Sequence, residues 1–396
     1  MQAFGSRDAL LYVLLTTLYI FSDNSFFDAT WFIFSNISVF IQVPYLYLCN
    51  RYFLPFPLQT RVSQRATGAE FILINLLRLN LNHLSKRWGK EFFKTKVFYY
   101  VNRWRYLREA GNGLGDVMMQ EYSDGGCWFQ SQSKNNRAVD LAIVYVHGSW
   151  IVGGSIAIYE EYLTSFCVKL QEEGFQNPIV FAPSISTSSE LDLLLPSAVS
   201  KVRDTVGEDC HVVLAGDSIG ATLIMNSLLM EDKESLPAVA LLVSPITQLD
   251  QFDQIESKIN TDYLSIENIE GWLEEKVIEL NCCAPGKEKW SLESIPKFGI
   301  VISYGSEECV SGYTEDYISK LKNIDGCKLK VDKQVAQVHN WAIINYYTER
   351  LVEHREESLQ KYASIISRLL LSETKSYFED NGGKVKSMIS LDEERV

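Results

Sequence analysis

Histidine is scarce in this chain, with five in 396 residues. Any chemistry that needs an imidazole must draw on His83, His147, His211, His339 or His354. Metal-ligand motifs are missing. None of the eight cysteines stands in a C-x-x-C pair or has metal-ligand spacing with a histidine, which speaks against a structural zinc site. Eight cysteines in a chain this long do not form a disulfide scaffold. A basic surplus is missing too. The formal net charge of -13 excludes a typical nucleic-acid binder, which needs positive charge to meet phosphate. What remains is 46% hydrophobic and 22% charged, the make-up of a mostly globular chain able to bury a sizeable core.

The most informative stretch is His211-Val-Val-Leu-Ala-Gly-Asp-Ser-Ile-Gly-Ala221. A β-rich apolar run enters Gly216-Asp217-Ser218-Ile219-Gly220, and an Ala/Leu/Met-rich helical segment follows. This predicts strand, sharp turn and helix, with Ser218 at the apex of a G-x-S-x-G turn. Gly216 and Gly220 let strand and helix approach where a Cβ would clash. The helix N-terminus favours negative charge on a reacting oxygen.

From residue 140 short apolar runs alternate with helical segments: 141–146, 178–181, 212–214, 238–243, 298–303 and 328–333. The pattern predicts an α/β fold, a mostly parallel sheet with helices on both faces. Ligands of such sheets bind beyond the carboxyl ends of the strands. After the first run stands His147-Gly148-Ser149-Trp150, placed to supply oxyanion-donating backbone N–H groups, with His147 as its scaffold. After the 298–303 run comes Tyr304-Gly305-Ser306-Glu307-Glu308. Glu308 is the first candidate for the acid, with Glu307 and Asp316 as alternatives. After the last run comes His339-Asn340-Trp341, and His339 is the candidate base by elimination and by place. The order Ser218, Glu308, His339 is that of a Ser-His-acid hydrolase. The oxyanion is expected on the N–H groups of Ile219 and of the Gly148–Ser149 loop. No metal or organic cofactor is required.

These motifs resemble those of the hormone-sensitive-lipase-like α/β-hydrolases. Within that group, Ser244-Pro245, Asp262-Tyr263-Leu264 and the Gly305-x-x-Glu308 acid are similar to fungal steryl acetyl hydrolases. The resemblance spans roughly residues 140 to 345 and implies a membrane-anchored enzyme of the endoplasmic reticulum that deacetylates sterol acetates. His-Gly-Ser-Trp departs from the family's His-Gly-Gly-Gly, so two side chains replace glycines beside the oxyanion. An amidase of the same fold and a non-catalytic lipid binder are the competing readings.

Four regions are expected: a hydrophobic anchor over 1–50, a cap or membrane-proximal segment over 51–139, the catalytic domain over 140–371, and a polar, disordered tail over 372–396. Residues 26–49 are long and apolar enough for a membrane span, whereas 9–21 are too short. Between 51 and 109 twelve Lys and Arg face three Asp and Glu, a surplus suited to an anionic membrane surface. By the positive-inside rule that flank keeps the catalytic part cytosolic, against the lumenal placement the family implies.

Overall fold

The computed structural model describes residues 5–83, 95–109, 117–120, 125–131, 138–148, 156–185, 191–207, 210–230, 233, 235–247, 262–265 and 290–380. Among the described residues eight strands form one sheet: β1 (Val117–Gln120), β2 (Gly126–Ser131), β3 (Leu141–Val146), β4 (Pro178–Pro183), β5 (His211–Asp217), β6 (Val239–Val243), β7 (Ile300–Gly305) and β8 (Leu329–Gln334). Their spatial order is β1-β2-β4-β3-β5-β6-β7-β8. Pairing is parallel from β4 through β8 and antiparallel for β1–β2 and β2–β4. Every residue of β3, β4, β6 and β7 is buried, the signature of a sheet covered on both faces. Along β3, Leu141, Ile143 and Tyr145 enter one core cluster, while Ala142, Val144 and Val146 enter the other, as the period of two requires. At the β8 edge, Lys330 and Lys333 discourage pairing with another chain.

The parallel core follows the expected apolar runs. The antiparallel pair β1–β2 does not, and it carries the sheet back to Val117. After β8 the chain forms two helices, Trp341–Thr348 and Val352–Asp380, separated where Glu349 adopts an extended backbone. The break lets Leu359, Tyr362, Ala363, Ile366 and Leu370 pack in the cluster holding Leu163 and Phe166 of helix Glu160–Glu172. The helix continues to Asp380, past residue 372 where the disordered tail was expected to begin. The rest of that tail lies outside the described residues.

The expected spanning anchor is not seen among the described residues. Residues Ser6–Asp23 and Phe26–Leu48 are helices, yet among the described residues no helix is long and apolar enough to cross a membrane. Asp28 lies in the first turn of the second helix and Pro44 inside it. Part of it is used inside the protein: Ala29, Phe32 and Val43 are buried, and Tyr47 packs on Phe71 at 5.8 Å between ring centroids.

The basic segment also differs from the expected membrane-facing surface, because several of its arginines bond to the protein itself: Arg105 is buried, Arg65 half-buried, and Arg51 exposed yet hydrogen-bonded to the backbone. Arg51 Nη1 donates to the carbonyls of Ser63 (2.9 Å) and Ala66 (3.3 Å). Arg65 bonds Glu70 and donates from Nε to the Ala336 carbonyl at 3.0 Å. Arg105, 1% exposed, lies between Asp8 (2.7 Å) and Glu161 (2.5 and 2.9 Å). A guanidinium holds several acceptors at once, so these side chains fasten the N-terminal helices to the body.

Candidate active site

Strand β5 ends at Asp217 and helix Ile219–Met230 begins two residues later, so the chain must reverse within Ser218. It does so at φ +52°, a left-handed conformation that costs a non-glycine residue about 1–2 kcal/mol. The backbone holds the turn. Ser218 N–H donates to the Val243 carbonyl at 2.9 Å, and the Ser218 carbonyl accepts from Thr222 N–H at 3.1 Å. The flanking glycines are required by proximity. A Cβ on Gly220 would lie 2.0 Å from the Val146 carbonyl oxygen, and one on Gly216 would lie 2.7 Å from the same atom. Gly148 is equally constrained, since its Cβ would lie 2.7 Å from that of Ser218.

Three residues distant in sequence converge here. Ser218 Oγ is 2.8 Å from His339 Nε2, and His339 Nδ1 is 3.3 Å from Glu308 Oε2. All three are buried, with Ser218 the most exposed at 9%. The other oxygen of Glu308 accepts from Ser244 Oγ (2.7 Å) and from Gly305 N–H (2.5 Å). Ser244 Oγ also accepts from Asn340 N–H at 3.0 Å. One hydroxyl therefore links the acid to the residue after the histidine. Glu307 instead faces Arg61, 3.7 Å away, and Asp316 is exposed on helix Ser311–Lys322.

Burial alone would depress the His339 pKa. The hydrogen bond and charge of Glu308, with the charges of Asp262 and Asp217, outweigh it and raise the pKa above the ordinary histidine value. His147 is the opposite case. Its ring is buried 5.4 Å from the Tyr159 ring, and burial pushes its pKa down to about 4, so it is neutral at physiological pH. Asp217 gathers donors from separate elements: Tyr145 Oη and Tyr159 Oη at 2.9 Å, Asn340 Nδ2 at 3.0 Å, and the backbone N–H of Gly148. Burial still pushes its pKa up to about 6.

Of the expected site residues, Ser218, Glu308, His339, Gly216, Asp217, Gly220, Gly148, His147 and Ile219 stand around this turn. Ser149 lies outside the described residues, with Trp150. The linking roles of Ser244, Asp262, Tyr145, Tyr159 and Asn340 were not foreseen. Ser244 and Asp262 belong to motifs singled out by resemblance, but neither motif discloses a partner.

A family model described as alpha/beta hydrolase fold matches residues 143–343, just over half of the chain. The chain belongs to that family. Solved structures agree on the fold. An esterase/lipase from an uncultured bacterium is 16% identical over 77% of this chain and 99% of its own, with a TM-score of 0.55. EstE5 soaked with p-nitrophenyl butyrate is 16% identical over 77% and 99%, with a TM-score of 0.54. Carboxyl esterase 2 from the mycorrhizal fungus Tuber melanosporum is 18% identical over 64% and 87%, with a TM-score of 0.50. No curated protein matches the chain in sequence.

Proposed function

We propose that this protein is a serine hydrolase acting on carboxylic esters of lipophilic alcohols. The observation that carries the reading is the line Ser218 Oγ–His339 Nε2–Nδ1–Glu308, at 2.8 and 3.3 Å, on a backbone held at φ +52°. Ser218 Oγ attacks the acyl carbon while His339 Nε2 takes its proton. The carbonyl electron pair moves onto oxygen, which is received by the N–H of Ile219; the Gly148 N–H, expected as a further donor, is held by Asp217. Glu308 orients the imidazole and stabilises its cation. Collapse expels the alcohol, which leaves with the proton from His339, and Ser218 keeps the acyl group. Water then repeats the sequence and releases the acid. The scheme calls on no metal or organic cofactor.

An apolar setting supports an oily substrate. Phe71 and Ile74 of helix Gly68–His83 join Ile219, Leu264 and Val338 in one cluster around the turn. Ester turnover is favoured over amide turnover by the esterase fold relatives. A sterol acetate is the substrate the sequence resemblance implies. The test is labelling with a fluorophosphonate beside turnover of p-nitrophenyl acetate, a steryl acetate and an aryl formamide. Wild type should label and cleave the esters, and Ser218→Ala and His339→Ala should do neither. Formamide turnover exceeding ester turnover would make it an amidase. No labelling of wild type, with lipid still bound, would make it a non-catalytic binder.

We also propose an interfacial contact with lipid, in the endoplasmic reticulum, in place of a membrane span. It is supported by outward-facing Leu10, Leu14, Phe27, Trp31 and Phe34 on the first two helices. Such a face suits shallow insertion at a bilayer surface. Co-flotation with phosphatidylcholine vesicles, lost on Phe27→Ser with Trp31→Ser, tests it.

A further inference from the structure

Asp262 is 1% exposed and lies beside the triad without belonging to it. Its Oδ1 accepts from the backbone N–H of Tyr263 (2.8 Å) and of His339 (3.1 Å). Its Oδ2 accepts from the backbone N–H of Cys309 at 2.9 Å. Cys309 directly follows Glu308. One carboxylate therefore grips the loop after β7, which carries the acid, and the loop after β8, which carries the histidine. From the other side, Arg78 Nε of helix Gly68–His83 donates to the Asp262 carbonyl at 2.7 Å.

Three backbone N–H groups and the Cys309 thiol surround the carboxylate, and all are donors. That suits an ionised carboxylate, which is acceptor-only. Burying one is expensive, and a simple loop tie could be made by a neutral Asn or Ser. A carboxylate is explained if its charge is used. His339, which becomes a cation during turnover, is the nearby group that would use it.

We infer that Asp262 is a positioning residue. It pins the acid and base loops to one another and sets a second negative charge beside the imidazole. The inference rests on the hydrolase reading above. Glu308, Asp217 and Arg78 are the other charged groups facing this locus. Glu308 and Asp217 add to the negative field and Arg78 opposes it. Tyr263, whose ring lies 6.0 Å from that of His339, contributes a neutral wall.

The test compares wild type, Asp262→Asn and Asp262→Glu in p-nitrophenyl acetate turnover across pH, with fluorophosphonate labelling as the control. Asp262→Asn should lower kcat about 10–100-fold, the scale of a small misplacement of reacting groups. KM should stay within about 2-fold, because the carboxylate does not touch substrate. The acid limb of kcat/KM should move to lower pH, because the imidazolium loses a stabilising charge. Asp262→Glu should keep that limb near wild type with reduced kcat. If Asp262→Asn does not fold, Asp262→Glu decides through the low-field proton NMR signal of the His339 Nδ1–H, which should shift or broaden as kcat falls. A folded Asp262→Asn with wild-type kcat and acid limb, or a folded Asp262→Glu with wild-type kcat and low-field signal, overturns the inference. A wild type that takes no fluorophosphonate overturns the hydrolase reading instead.

Discussion

Asn340 and Asp217 join two loops that the sequence separates widely: Nδ2 of the amide donates to Asp217 Oδ2 across 3.0 Å. Asn340 sits at φ +51°, directly after the histidine that meets Ser218, and Asp217 sits directly before that serine. The bond therefore tethers the two reacting side chains through their immediate neighbours.

This tether can be removed without disturbing the backbone. Asn340→Gly keeps the left-handed conformation at no steric cost and deletes only the amide. The expected outcome is a loss of about 1–2 kcal/mol of stability, read from urea unfolding. Turnover of p-nitrophenyl acetate should fall roughly 10-fold as the His339 loop loosens. Asn340→Ala should be worse on both counts, since it adds about 1 kcal/mol of backbone strain.

Glu308 raises the His339 pKa by its hydrogen bond and its charge, against the effect of burial. Catalysis needs neutral His339, so wild-type kcat/KM should climb with pH through a midpoint above the ordinary histidine value of about 6.5. Glu308→Gln removes the charge, so that midpoint should fall. It also leaves an amide where a carboxylate received the Nδ1–H, and kcat should drop by about 10²–10⁴. Glu307→Gln should change neither the profile nor kcat by more than about 2-fold, because Glu307 faces Arg61. The pH–rate profiles of the two variants distinguish them.

Glu160 makes a separate pH prediction, in stability. Its carboxyl accepts from Asn102 Nδ2 at 2.8 Å, and burial pushes its pKa up from 4.5 to about 7. The folded protein then holds a proton that the unfolded chain has released. Stability contributed by this group is fully present below about pH 4.5 and is lost as pH rises to about 7. Glu160→Gln removes this loss and should gain up to about 3 kcal/mol at pH 8 relative to pH 4. Urea midpoints at the two pH values check it.

The inner parallel strands were legible because their runs are short, apolar and β-branched, and the serine turn because proximity demands its glycines. Glu308 and His339 were legible because each directly follows a strand at the ligand-binding edge. The pair β1–β2 was not: Val-Met-Met-Gln and Gly-Cys-Trp-Phe-Gln-Ser lack both a long apolar run and clean alternation. Asp262 was visible only as part of a motif, because its partners Cys309 and His339 are far along the chain and it meets both through their backbone N–H groups. The packing of the first helices was not legible, for a physical reason. Hydropathy counts apolar residues but does not say what covers them. Charge counting likewise missed that Arg51, Arg65 and Arg105 bond to groups within the protein.

That last point yields a stability test on the buried ion cluster. Arg105 pairs Asp8 of the first helix with Glu161 of the catalytic body, and both carboxylates are 1% exposed or less. Arg105→Met leaves two negative charges buried without their cation, which should cost about 3–5 kcal/mol. The weakest-held element should respond first, so the first helix should become open to chymotrypsin, which has Tyr12, Tyr19 and Phe21 to cut after. Replacing all three members with apolar residues (Arg105→Met, Asp8→Leu, Glu161→Met) removes the stranded charges. That triple variant should recover most of the lost stability and the protease resistance, because desolvating an ion cluster offsets much of its internal attraction. If the single variant were as resistant as wild type, the cluster would contribute little to holding the first helix in place.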